Sequence, residues 1–160
     1  MTVFLEIEPT FENSTEMPDF NDLVFSVFKE QGIPIESDVT IAVVDDDQIH
    51  KLNREFLGAD KPTDVLAFPA GHIDPDTGHF NIGDVVISYP RAKDQANSAG
   101  HPLSSELCLL TVHGLLHLIG FDHDRPESEN DMWQVQSKVL MKQGIKINSP
   151  YFSTHLNINQ

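Results

Sequence analysis

One segment restricts the folding of this chain more than any other: Glu106-Leu-Cys-Leu-Leu-Thr-Val-His113-Gly-Leu-Leu-His117-Leu-Ile-Gly120-Phe-Asp-His123. Its apolar run predicts a helix opened by Ser104 and Ser105 and continuing to about Ile119. Two histidines four positions apart on a helix differ by about 40° in direction and one turn in height, so both rings can approach one ion from the same face. The helix must then stop and return the chain. Gly120 supplies the turn, because glycine enters a left-handed C-cap without steric cost. Three residues later His123 is placed to meet the other two.

Three imidazoles leave one open position on a tetrahedral ion, whereas structural zinc sites are normally closed by four protein ligands. The expectation is therefore one zinc ion per chain, held by His113, His117 and His123. Nickel, copper and iron are also compatible with such ligands. The spacing H-x-x-x-H-x-x-G-x-x-H matches the metzincin protease pattern except after the first histidine. A glutamate general base stands there in those enzymes, and here the residue is Gly114. Peptide hydrolysis is demoted accordingly, while metal binding needs only the histidines.

The remaining chain reads as one domain over residues 1–150, followed by a flexible polar tail at 151–160. Val3 to Glu8 alternates as a half-exposed strand does. Apolar residues at 20, 23, 24, 27 and 28 have helical spacing, stopped by Gly32 and Pro34. Val39 to Val44 is a β-branched strand. Asp45 or Asp46 caps a helix with the apolar face Ile49, Leu52, Phe56 and Leu57, ended by Gly58. Val65 to Phe68 reads as a short strand, Pro69 to His79 as a surface loop, and Ile82 to Ser88 as a strand interrupted at Gly83-Asp84. Pro90 suits the first turn of a helix to Ala99, and a last helix runs from about Pro126 to Gln143. The fold class is α+β, with about four strands in a mixed sheet, about five helices and a zincin-like three-histidine site.

The 160 residues carry a net charge of −15, which argues against a non-specific nucleic-acid binder. The charge is uneven, however. Residues 1–28 hold no Lys or Arg, while Lys51, Arg54, Lys61, Arg91 and Lys93 fall between 51 and 93, so a local basic surface can exist. No stretch approaches the roughly 18 apolar residues of a membrane span, and Met1 to Glu8 lacks the basic-then-apolar order of a signal peptide. With its single cysteine, Cys108, read as a buried small hydrophobe, the chain is expected in the cytoplasm, away from membranes. The histidines at 50, 72, 79, 101 and 155 are read as ordinary loop, surface or tail residues.

The site resembles that of the YbeY family of ribosomal RNA maturation endoribonucleases. Residues His113 to His123 carry the resemblance, together with Leu52-Asn-Arg-Glu-Phe-Leu-Gly-Ala-Asp-Lys-Pro-Thr-Asp-Val-Leu-Ala-Phe-Pro69 and Gly83-Asp-Val-Val-Ile-Ser88. Together the blocks are very specific, and the similarity spans roughly residues 35–145. The resemblance implies a metal-dependent hydrolase of single-stranded RNA, acting in 16S rRNA 3′-end maturation and ribosome quality control. It also implies association with small-subunit components, and no DNA substrate is expected. One residue departs from the family pattern. An arginine usually follows the aromatic of the first block, where it would bind phosphate or stabilise charge; here Leu57 follows Phe56.

Arg54, one turn earlier, is a candidate substitute, and its plainer reading is a solvated helix residue. Asp122 and Asp124 flank the third histidine and are candidates to bond a ring N–H. Asp64, Thr63 and Asp84 are candidates to line the cleft. Two alternative functions stand beside the nuclease. One is a ribosome-assembly binding protein with a structural metal and weak nuclease activity, favoured by Leu57 and the acidic charge. The other is a metallohydrolase of another substrate.

Overall fold

A computed structural model describes residues 1–147. The expected tail at 151–160 and His155 lie outside the described residues.

Four strands form one sheet: β1 (Thr2–Ile7), β2 (Ser37–Val44), β3 (Val65–Ile73) and β4 (Phe80–Ser88). Their spatial order is β1-β2-β4-β3. The first two pairings are parallel and β4 pairs with β3 antiparallel, so the sheet is mixed and β3 is an edge strand. Among the described residues five α-helices accompany it: α1 (Phe20–Gln31), α2 (Asp46–Leu57), α3 (Tyr89–Ala99), α4 (Leu103–Leu118) and α5 (Pro126–Lys142). The expected α+β architecture is the one observed.

Local chemistry starts α2 and α3, whereas α4 begins at Leu103, after Pro102 and without a side-chain cap, rather than at the expected Ser104 and Ser105. The Asp45 carboxylate caps α2 by accepting the Gln48 N–H at 2.8 Å, and Ser88 Oγ caps α3 by accepting the Arg91 N–H at 3.3 Å. Among the described residues no helix is long and apolar enough to cross a membrane.

Helix α4 lies at the centre. Residues Ser105 to Leu116 are buried without interruption, because α1, α3 and α5 cover the sides of the helix that the sheet does not. The main core joins α1, α4 and α5 to one sheet face. A smaller cluster of Ala42, Ile49, Leu66 and Val86 seats α2 on the opposite face.

The segment Pro69 to His79 departs from its loop reading. Strand β3 continues to Ile73 and β4 begins at Phe80, leaving only a short connection. Pro69 is tolerated because β3 is an edge strand, and the pairing shifts register between Pro69 and His72. Strand β4 also runs through Gly83 rather than breaking there. A Cβ at that position would lie 2.2 Å from the Phe68 carbonyl oxygen, and φ is +131°, so glycine lets the two strands approach.

Candidate metal centre

The end of α4 delivers the three histidines. The Gly120 N–H bonds the His117 carbonyl at 3.1 Å and the Phe121 N–H bonds the Leu116 carbonyl at 3.0 Å. With φ of +105° at Gly120, this Schellman-type ending turns the chain back on itself. His123 is thereby returned toward His113 and His117. The ring centroids lie 4.6 Å apart for His113 and His117, 5.3 Å for His113 and His123, and 4.9 Å for His117 and His123.

One ligand nitrogen from each ring lies within 4.8 Å of the others, so the group can hold a metal ion. His113 Nε2 and His117 Nε2 are 3.1 Å apart. Two nitrogens bound at about 2.0–2.1 Å to one tetrahedral ion stand about 3.3 Å apart, so this edge already has nearly the required length. Burial, with His123 as the next cause, holds the His117 ring below the usual imidazole range and therefore neutral near pH 7. A neutral ring keeps the lone pair that a cation needs. The donor set and its spacing fit a small divalent cation.

His113 is 1% exposed and His123 is 8% exposed, while Gln136 on α5 is wholly buried. The His113 Nδ1–H donates to Gln136 Oε1 at 3.2 Å, which leaves the lone pair on Nε2, the atom facing His117. Sequence reasoning missed this residue. Its signal was present, because Gln136 shares the stripe of Met132, Val139 and Leu140, which are buried apolar residues.

A cavity of about 330 Å³ opens beside the rings, lined by His113, Gly114, His117, Leu57 and the β3 residues Val65, Leu66, Ala67 and Pro69. Gly114 is held against the sheet: a Cβ there would meet Val85 Cγ1 at 2.5 Å. The position of the metzincin base is thus closed to any longer side chain by packing, in addition to being glycine.

The other sequence candidates are distributed unevenly. Leu57 lines the cavity, whereas Arg54 is not among its lining residues and stands 4.0 Å from Asp60 at the surface. Asp122 is exposed and accepts the Asp124 N–H at 3.3 Å. Its carboxyl is held below the usual range by a Ser128 hydrogen bond and by that backbone bond. Thr63 and Asp64 line a neighbouring cavity, and Asp84 lines one on the α2 face of the sheet. Cys108 is buried, and burial pushes its thiol up to about 12, which removes it as a nucleophile. His101 is not an ordinary loop residue: it is nearly buried and its Nε2 lies 2.8 Å from Glu106 Oε1.

Comparison with known proteins bears on the family and the fold. The family profile described as Endoribonuclease YbeY matches residues 8–144. A Brevibacillus brevis protein named Endoribonuclease YbeY is 40% identical over 125 residues, covering 69% of this chain and 77% of that one. A Lachnospira eligens protein of the same name is 32% identical over 170 residues, covering 91% and 99%. A solution structure of a Thermotoga maritima protein superposes with a TM-score of 0.57 at 24% identity, covering 89% of this chain and 91% of the other, which supports the fold. A profile match over most of the chain, joined by relatives above 30% identity, shows that the chain belongs to the YbeY endoribonuclease family.

Proposed function

We propose that this chain is a zinc-dependent endoribonuclease that cuts single-stranded RNA. Its proposed setting is the cytoplasm, in 16S rRNA 3′-end maturation and ribosome quality control, with small-subunit components as partners. The observation that carries the reading is the convergence of His113, His117 and His123 beside an open cavity, in a chain of an endoribonuclease family.

The three histidines would hold the ion, with His113 and His117 using Nε2. Bound there, zinc supplies Lewis acidity, lowering the pKa of water and polarising a phosphoryl oxygen. The protein's own residues supply the setting. Gln136 fixes the His113 tautomer, burial keeps His117 neutral, and Leu57, Val65, Leu66, Ala67 and Pro69 give the cavity an apolar wall. Gly114 places no carboxylate on the helix beside His113, which separates this site from a metallopeptidase.

The test joins metal analysis to cleavage. Wild-type protein purified without metal-affinity chromatography should carry about one zinc per chain by mass spectrometry and cut single-stranded RNA, and His113→Ala should lose both properties. Equal cleavage by the two proteins would assign the activity to a contaminant and end the proposal. A 2′,3′-cyclic phosphate on the product would identify attack by the ribose 2′-OH, and its absence attack by water.

Leu57 favours a second reading, an assembly protein with a structural metal and weak nuclease activity. Its side chain stands on the cavity wall and cannot bind phosphate. Pull-down of ribosomal subunits by a protein that does not cut RNA would support that reading.

A further inference from the structure

A second cavity, of about 480 Å³, adjoins the one beside the histidines. Leu57, Val65 and Leu66 belong to the walls of both, so the two are neighbouring compartments of one cleft. Their chemistry differs. The histidine compartment has no Lys or Arg among its lining residues. The second is walled by the segment after α2 and by α3, and it presents two cations, Lys61 and Arg91.

Arg91 is held in place there. Its Nε donates to Asp46 Oδ1 at 3.2 Å, and the same oxygen accepts the Ser88 hydroxyl at 2.9 Å. That ion pair uses Nε, so the guanidinium still presents its terminal N–H groups to a second acceptor. Lys61 is exposed. The one carboxylate in the wall, Asp64, is turned to protein donors: Oδ1 accepts the Val65 N–H at 2.8 Å and Oδ2 accepts Gln95 Nε2 at 3.2 Å. Lys61 and Arg91 are the cations of this compartment, and the Lys61 ammonium and the terminal N–H groups of Arg91 are the donors it offers an anion.

With a cation held by the three histidines, an anion that spans both compartments meets positive charge in each, as a polynucleotide backbone with its repeated phosphates would. We infer that the second cavity is the subsite for the nucleotide next to the scissile phosphodiester, and that Lys61 and Arg91 pair with its phosphate. The inference rests on the RNA-cleaving reading above, and it adds where the strand runs: away from the histidines past Leu57, toward α3.

Fluorescence anisotropy with a labelled single-stranded oligoribonucleotide and the full chain, at several salt concentrations, tests it. Lys61→Ala and Arg91→Ala should each weaken binding about three- to tenfold and reduce the slope of log affinity against log salt by about 0.7. Lys29→Ala, exposed at the end of α1 on a helix packed against β1, α4 and α5, should change neither. If loss of the Asp46 pair unfolds Arg91→Ala, Lys61→Ala carries the test alone. Wild-type affinity and salt slope in every cleft variant that folds overturn the subsite. Failure of the wild-type protein to bind or cut any single-stranded RNA overturns the nuclease reading itself.

Discussion

Gln136 reaches from α5 to hold the buried face of His113, its amide oxygen accepting a hydrogen bond from the Nδ1–H at 3.2 Å. Outer partners of this kind are worth about 10- to 100-fold in metal affinity. Gln136→Leu should therefore weaken zinc binding by about that factor in a chelator competition, while the fold survives because the replacement is apolar and close in size. Gln136→Glu keeps an acceptor and should retain most of the affinity. Equal affinity in the wild-type protein and Gln136→Leu would show that packing alone orients the ring.

Gly114 should not tolerate even one methyl group. Gly→Ala within a helix ordinarily gains about 1 kcal/mol from propensity. Here the new Cβ would meet Val85 Cγ1 at 2.5 Å, and Val85 is fully buried and stiff at χ1. Overpacking of this kind costs about 1–3 kcal/mol, so Gly114→Ala should lower the urea midpoint. Adding Val85→Ala should recover less than the clash cost, because it opens a cavity of its own.

The buried pair His101 and Glu106 gives the protein a pH signature. Burial, reinforced by the nearby Asp64 charge, raises the Glu106 carboxyl to about 8, so the folded protein keeps it protonated while the unfolded chain releases the proton near 4.5. Its contribution is fully present below about pH 4.5 and is lost as pH rises toward 8. The loss over that window is on the order of 2–4 kcal/mol. Denaturant midpoints measured from pH 5 to 8.5 should fall with pH in the wild-type protein. Glu106→Gln should flatten that slope, and an unchanged slope in the variant would assign it to other groups.

Which of these features the sequence disclosed depends on how local their cause is. The helix carrying His113 and His117, its stop at Gly120 and the return to His123 were all legible, because periodicity and a left-handed glycine are properties of neighbouring residues. The cap at Asp45 and the α3 start at Pro90 were legible for the same reason. The extension of β3 through Pro69 to Ile73 was not, because only its position at the sheet edge and its pairing with β4 make proline acceptable. Gln136 and His101 were missed because their importance comes from partners on other elements or in the buried interior. Each left a trace: Gln136 lies on an apolar stripe, and Glu106 opens an apolar run. A polar residue in such a place is expensive unless it is satisfied, so it marks a contact that the sequence does not identify.

Metal binding should stabilise the fold and should fail in acid. A ligand that binds only the native state at about 100 times its Kd contributes about 2.7 kcal/mol, so zinc should raise Tm in the wild-type protein and leave His113→Ala unchanged. His117 stays neutral in the fold because burial lowers its pKa, whereas the unfolded chain takes up a proton below about 6.5. This group's contribution is therefore present above about 6.5 and is lost as pH falls. Zinc affinity measured by competition should weaken in the same direction, as protons compete for the ring nitrogens. Affinity independent of pH between 5 and 7 would remove the imidazoles from the binding site.

Leu57 offers the sharpest test of how the cleft handles charge. Its side chain is 59% exposed and stands on the wall shared by the histidine cavity and the cavity holding Lys61 and Arg91. At such a position Leu57→Arg should shift stability by no more than about 0.5 kcal/mol. The new guanidinium would add a third cation where the two compartments meet, within reach of the phosphate being cut. If charge at this point limits the reaction, Leu57→Arg should raise kcat/KM for single-stranded RNA by about tenfold or more, with most of the gain in kcat. A gain confined to KM would mean that arginine here binds the strand without easing the reaction. No gain at all would show that charge at this point does not limit the reaction.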